Sequence, residues 1–192
     1  MFLRLFFQSF FLVLWVGWLA LWIAMARRVK APAETETWRS RISHVGPLLI
    51  AAYLLAAPSV PLPLLGERFV PLALWPPTLG AALMALGVAF CVWARFTIAD
   101  NWSGEVELKR EHELVVDGPY RWVRHPIYTG LLLMFIGTAL AVGEWRGVLA
   151  VMLAGTAFWR KLGLEETLMR RQFGGAYDRY AKRVPALVPF VI

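Results

Sequence analysis

The chain has 192 residues, 59% of them hydrophobic and 17% charged, with 20 Lys and Arg against 13 Asp and Glu for a net charge of +7. A soluble domain is about 45–50% apolar and about 25% charged, so this composition points to lipid, and the apolar runs exclude a nucleic-acid-binding reading of the basic charge. The single cysteine, Cys91, excludes an intramolecular disulfide framework or a cysteine-based metal site, and its apolar neighbours mark it as a small buried residue.

Five apolar runs follow in chain order, and a spanning helix needs about 20 mostly apolar residues. The first covers residues 5–26; it is too long for a signal-peptide core, has only Arg4 before it, and is followed at once by Arg27 and Arg28. The second covers roughly residues 45–65, where Pro58, Pro61 and Pro63 bend or end it because proline removes a backbone donor. The third covers roughly residues 78–98. A polar connection over residues 100–124 comes next, in which the alternation of Val106, Leu108 and Leu114 to Val116 suggests short extended pieces.

Runs four and five, roughly residues 127–142 and 147–162, are separated only by Gly143, Glu144, Trp145 and Arg146, which predicts a tight antiparallel hairpin. Gly130, Gly137, Gly143, Gly147 and Gly155 offer places for close backbone approach. Beyond run five, apolar residues at steps of three to five over residues 164–184 predict an amphipathic helix, broken near Gly174 and Gly175 and lying on the membrane or over a site, before an irregular proline-bounded tail.

The fold class is therefore an all-α polytopic membrane protein with about five transmembrane helices. Residues 1–77 would carry two N-terminal spans and a basic loop, and residues 78–192 a core with the other three. All basic residues except Arg4, Arg68 and Arg146 fall on one side of this topology, which puts that side and the C-terminus in the cytoplasm and the N-terminus outside. The expected location is a bacterial inner membrane, and nothing in the sequence specifies an oligomeric state.

Two segments carry chemistry. The first is GPYRWVRHPIYTG over residues 118–130: Gly118 and Pro119 make a turn, Pro126 suits the first turn of a helix, and Arg124 and His125 sit at its mouth, where free backbone donors and the positive end of the dipole collect. The second is Glu165-Glu166, just past run five, followed by FGGAYDRYAKRVP over residues 173–185. The hairpin brings the start of run four beside the end of run five, so His125, Tyr128 and Glu165 can converge. The three histidines, His44, His112 and His125, lie in different segments and make no recognisable zinc pattern; His44 is expected at the interface.

In this order, across about residues 95–190, these motifs resemble the isoprenylcysteine carboxyl methyltransferases and their bacterial relatives. The resemblance implies a cytoplasmic pocket for S-adenosyl-L-methionine, built by the last two helices and flanking segments. It implies cofactor contacts at His112, Glu113, Leu114, Val115, Tyr120, His125, Pro126, Ile127, Tyr128 and Glu165, and a substrate-side cation at Lys161, where eukaryotic members carry arginine. Glu165 would pair with the cofactor's ammonium, and His125 or a nearby arginine with its carboxylate. A carboxylate or thiolate acceptor needs no general base; an amine or hydroxyl would need one, and Glu166 and His125 are the candidates.

The partners implied are the bilayer and a lipophilic small-molecule or lipid acceptor. Two competing readings are an NADPH-dependent membrane reductase of related architecture, with Arg170 and Arg171 on the 2′-phosphate, and a non-enzymatic membrane protein.

Overall fold

The computed structural model describes residues 2–26, 37–98 and 114–189. It contains helices α1 (Phe2–Ala26), α2 (Trp38–Ala56), α3 (Pro63–Gly66), α4 (Trp75–Ile98), α5 (Pro126–Val142), α6 (Trp145–Phe173) and α7 (Gly175–Ala181), with a 3-10 turn at Gly118–Arg121. No strand occurs among the described residues beyond an isolated bridge between Arg68 and Glu144. Among the described residues three helices are long and apolar enough to cross a bilayer, over Phe6–Met25, Trp75–Ile98 and Trp145–Phe173, while α5 is apolar but shorter. The all-α polytopic expectation is met.

The second run needs correction. Its helix begins earlier, at Trp38, with the Thr37 side chain accepting from the Ser40 N–H at 3.4 Å, and it ends at Ala56 rather than near residue 65. The prolines explain the early end: Pro58 and Pro61 lie in the irregular stretch between α2 and α3, and Pro63 starts α3. His44, expected at the interface, is buried on the α2 face that also carries the buried Ala51 and Leu54. Cys91 is buried as expected.

Helices α4 and α5 make the tightest pair, because glycines remove the side chains between them. Gly80 backs onto the carbonyl of Gly137, and Gly87 onto that of Gly130, the glycines lying seven positions apart on each helix, in the reversed order that antiparallel neighbours require. A Cβ at Gly87 would also fall 2.8 Å from the Met134 side chain. Gly87→Leu is therefore expected to cost about 3 kcal/mol or more by overpacking, read as a fall in unfolding temperature in detergent. Gly155→Leu is the control, since a Cβ there meets nothing, and equal melting of both variants would contradict this account of the contact.

Helix α1 lays its aromatics on this pair. Trp15 donates from Nε1 to Thr138 Oγ1 at 3.1 Å and packs edge-on against Phe135 at 5.3 Å. Helix α2 packs along α6, so both N-terminal helices join the same bundle.

The hairpin is as short as the sequence implies: α5 stops at Val142, Gly143 takes the left-handed conformation with φ 71°, and α6 begins at Trp145. Two arginines clamp this end. Arg68 donates to the Val142 carbonyl at 3.2 Å, and buried Arg146 pairs with Glu144 at 2.7 Å and reaches the Leu54 carbonyl at 3.1 Å and that of Ala57. These are the basic residues that the charge pattern assigned to the side opposite the rest.

Candidate active site

At the other end, α5 starts where α6 runs past its apolar part. A helix of 29 residues is about 43 Å long, more than the hydrocarbon core needs, so α6 carries Glu165 and Glu166 beyond it. The sequence suggested a separate amphipathic helix after residue 162. Instead α6 continues to Phe173 and breaks at Gly174, whose φ of 51° turns the chain into α7. The break is where the glycine pair predicted it.

The 3-10 turn is seated on the last turns of α4. Gly118 has φ 58°, and a Cβ there would fall 2.9 Å from Thr97 Oγ1, so both the conformation and the space call for glycine. Trp122 stacks on Phe90 and meets Trp93 edge-on. Tyr120 is buried; its carbonyl accepts from the Tyr180 hydroxyl of α7 at 2.7 Å. Burial and the nearby Glu165 charge push the Tyr120 phenol well up, against a smaller opposing pull from Arg95, so it stays a neutral donor.

The Arg-His-Pro segment then ties four elements together. Arg124 donates from Nε and Nη2 to Glu166 Oε1 at 2.9 and 2.7 Å, and from Nη1 to the carbonyls of Ala181 and Val184 at 2.9 and 2.5 Å. His125 is the N-cap residue of α5, with buried Pro126 following. Its Nδ1 lies 3.5 Å from Glu165 Oε2 and its Nε2 3.4 Å from Glu166 Oε1. An imidazole with a carboxylate at each nitrogen donates to both only when doubly protonated. Burial alone would lower the pKa of His125, but the hydrogen bonds and charges of the two glutamates outweigh it and raise it overall. The two carboxylates thus favour the protonated form of His125.

Tyr128 completes the wall. Its hydroxyl donates to Glu165 Oε1, and its ring stacks between His125 and Phe158 with centroids 5.6 and 5.3 Å away. Lys161 Nζ sits 5.9 Å over the same ring, a cation–π contact, and its charge acts on Glu165. Glu165 remains partly open, its side chain 24% exposed, whereas Glu166 is 9% exposed and also meets Arg170 at 3.3 Å.

His125, Tyr128, Lys161, Glu165 and Glu166 therefore converge, with Tyr120 close enough to feel the Glu165 charge. Leu114 and Val115 are half-buried and lead into the 3-10 turn; Ile127 uses its carbonyl to accept from Cys91 at 3.3 Å. His112 and Glu113 lie outside the described residues.

The N–H groups just ahead of α5 are taken by the chain's own tail: that of Arg124 bonds the Pro185 carbonyl at 2.8 Å and that of His125 the Ala186 carbonyl at 3.0 Å. The Thr129 hydroxyl also reaches the Leu187 carbonyl at 2.6 Å. The tail lacks regular structure, so its carbonyls are available to these donors.

Arg124 and Tyr180 are the organising residues that sequence reasoning underrated. The adjacency of Arg124 to His125 was the available signal for the first. The paired tyrosines of the C-terminal motif were the signal for the second.

The phospholipid methyltransferase family model matches residues 75–176. Protein-S-isoprenylcysteine O-methyltransferase B of Arabidopsis thaliana is 31% identical over 120 residues, covering 61% of this chain and 61% of that protein. Protein-S-isoprenylcysteine O-methyltransferase of Schizosaccharomyces pombe is 34% identical over 117 residues, covering 59% and 50%. The chain thus spans less than two thirds of the length of these curated relatives. The solved structure of the eukaryotic intramembrane Ras methyltransferase superposes with a TM-score of 0.57 at 24% identity, over 80% of this chain and 52% of that one, a likeness of fold. The resemblance read from the motifs is borne out: the chain belongs to the phospholipid methyltransferase family and within it is similar to the isoprenylcysteine carboxyl methyltransferases.

Proposed function

We propose that the protein is an integral membrane methyltransferase that uses S-adenosyl-L-methionine and methylates a carboxylate on a lipophilic acceptor. The observation that carries the acceptor class is the ion-pair cluster around His125. Glu166 is held by Arg124, Arg170 and His125, and His125 has a carboxylate at each ring nitrogen, so neither candidate base is free to take a proton. A carboxylate is ready to accept a methyl group as it stands, whereas an ammonium must first lose a proton.

The residues present fit the cofactor. A carboxylate has about four lone-pair positions, so Glu165 can receive an ammonium besides Tyr128 and His125. The Tyr120 hydroxyl is buried with no hydrogen-bond partner among the described residues, as a donor directed at a polar ligand would be. When bound, S-adenosyl-L-methionine supplies an electrophilic methyl group on a sulfonium. The chain's own residues bind and orient: Glu165 and Tyr120 the polar groups, Tyr128 and Phe158 the apolar wall, Lys161 the acceptor side. In this reading the clustered basic end faces the cytosol and the clamp of Arg68 and Arg146 lies on the other side.

The second reading, N-methylation of a phospholipid amine, draws on the description of the family model. Purified protein given methyl-labelled cofactor and N-acetylated S-farnesylcysteine is expected to form a base-labile methyl ester. Base-stable label on phosphatidylethanolamine instead would overturn the carboxylate reading in favour of the amine.

A further inference from the structure

We propose that the rim where α2 meets α6, at the end of the bundle that carries the candidate active site, binds the phosphate of an anionic membrane phospholipid through Arg160. The inference rests on the membrane placement of the helices and not on the methyltransferase reading. Arg160 is exposed, and its Nε donates to Ser43 Oγ across the contact between α6 and α2. Ser43 in turn donates to the Ser40 carbonyl at 2.5 Å, so its oxygen is oriented to accept. The guanidinium is thereby held by one edge. Its two Nη nitrogens make no hydrogen bond or ion pair among the described residues. A planar fork fixed in this way presents its remaining N–H donors as a set, which suits the oxygens of a phosphate.

The surroundings put this fork at the depth of lipid headgroups. On α2, Trp38, Ile42, Val45, Leu49 and Tyr53 fall on one helical face, and all are exposed, from 37% to 67%. On α6, Met152 and Trp159 lie seven positions apart and are 63% and 67% exposed. Exposed apolar side chains at helical spacing on two packed membrane helices make a lipid-facing surface. Both faces end at this rim in a tryptophan, the residue that favours the membrane interface. Trp38 lies five residues before Ser43, about 7 Å further out along the axis. Arg39 sits over the Trp38 ring, 5.7 Å from its centroid, and adds a second cation. Among the described residues no carboxylate pairs with Arg160 or Arg39, so the rim is positive.

Simple anchoring of a helix end needs only a positive charge near the headgroups. A site for one phosphate needs the fork that Ser43 holds. The same phosphate chemistry is offered by a soluble phosphate ester, but the apolar faces on either side of Arg160 favour a lipid, whose chains would lie along them.

The test uses the full chain, stripped of lipid in a neutral detergent, as wild type, Arg160→Gln, Arg160→Lys and Arg171→Gln. Phosphatidylglycerol, phosphatidylcholine and glycerol phosphate are titrated into each, and the unfolding temperature is read. Saturating phosphatidylglycerol is expected to raise the wild-type value by about 3 °C, and the other two compounds to leave it in place. The rise should persist in Arg171→Gln, which removes another exposed arginine of α6 at the same end. It should fall by at least about half in Arg160→Lys, which keeps the charge and loses the fork, and vanish in Arg160→Gln.

The proposal is overturned if phosphatidylglycerol raises the wild-type value no more than phosphatidylcholine does. It is equally overturned if Arg160→Gln and Arg171→Gln respond alike, since the effect would then be one of net charge. A rise with glycerol phosphate as large as that with phosphatidylglycerol would move the site to a soluble ester and overturn the lipid assignment. Should Arg160→Gln fail to fold, Arg160→Lys decides, and a full rise there counts against the site.

Discussion

Arg124→Met is expected to lower the stability of the protein by about 3–5 kcal/mol and to release the tail from α5. Arg124 supplies four hydrogen bonds, two to Glu166 on α6 and one each to the carbonyls of Ala181 and Val184 beyond it. Its loss leaves the largely buried Glu166 with only His125 and the half-exposed Arg170 as counter-charges. It also frees two carbonyls that hold the end of α7. Methionine keeps the apolar stem, so the loss reports on the polar contacts rather than on volume.

The measurements are thermal unfolding in detergent and the rate at which protease cuts residues 182–189. Cutting should speed up together with the fall in unfolding temperature. An unchanged unfolding temperature with a protected tail would show that the tail is held by the backbone bonds of Pro185 and Ala186 alone.

Glu165→Gln is expected to raise the KM for S-adenosyl-L-methionine at least about tenfold while leaving the protein folded. Glu165 is the more open of the two carboxylates, and it is held from three sides by Tyr128, His125 and the Lys161 charge. The amide keeps the shape and still accepts from Tyr128, so positioning survives and the negative charge is lost. A cofactor ammonium then meets a neutral group next to two cations, which is worse than simple absence of a partner. Glu166→Gln is the contrasting variant. Its carboxylate serves Arg124 and Arg170, so its loss should show first in stability and only then in KM. Equal KM values for wild type and Glu165→Gln would remove Glu165 from cofactor binding.

Much of this arrangement was legible in the sequence because lipid imposes long apolar runs and charge sorts their ends. Runs one, three, four and five lie within the observed helices, and the hairpin follows from having no room for anything longer between Val142 and Trp145. The second run was misplaced because hydrophobicity continues past Ala56 while the prolines stop the helix. The α6 helix was cut short for the opposite reason. Its charged turns past Leu162 read as a separate surface element, although a helix leaving the bilayer changes composition without changing backbone.

At the site, His125, Tyr128 and Glu165 were legible as a converging set because the hairpin fixes their separation. The docking of the tail on the N–H groups of Arg124 and His125 was not, since backbone carbonyls leave no trace in side-chain patterns.

The most direct test of the central claim is calorimetric titration of the purified wild-type chain with S-adenosylhomocysteine and, in parallel, with NADPH. The account predicts saturable S-adenosylhomocysteine binding at one site and no heat from NADPH, because Arg170, half of the pair a 2′-phosphate would need, is engaged with Glu166 and Asp178. Binding of NADPH with none of S-adenosylhomocysteine would contradict it and turn the protein into a reductase of related architecture.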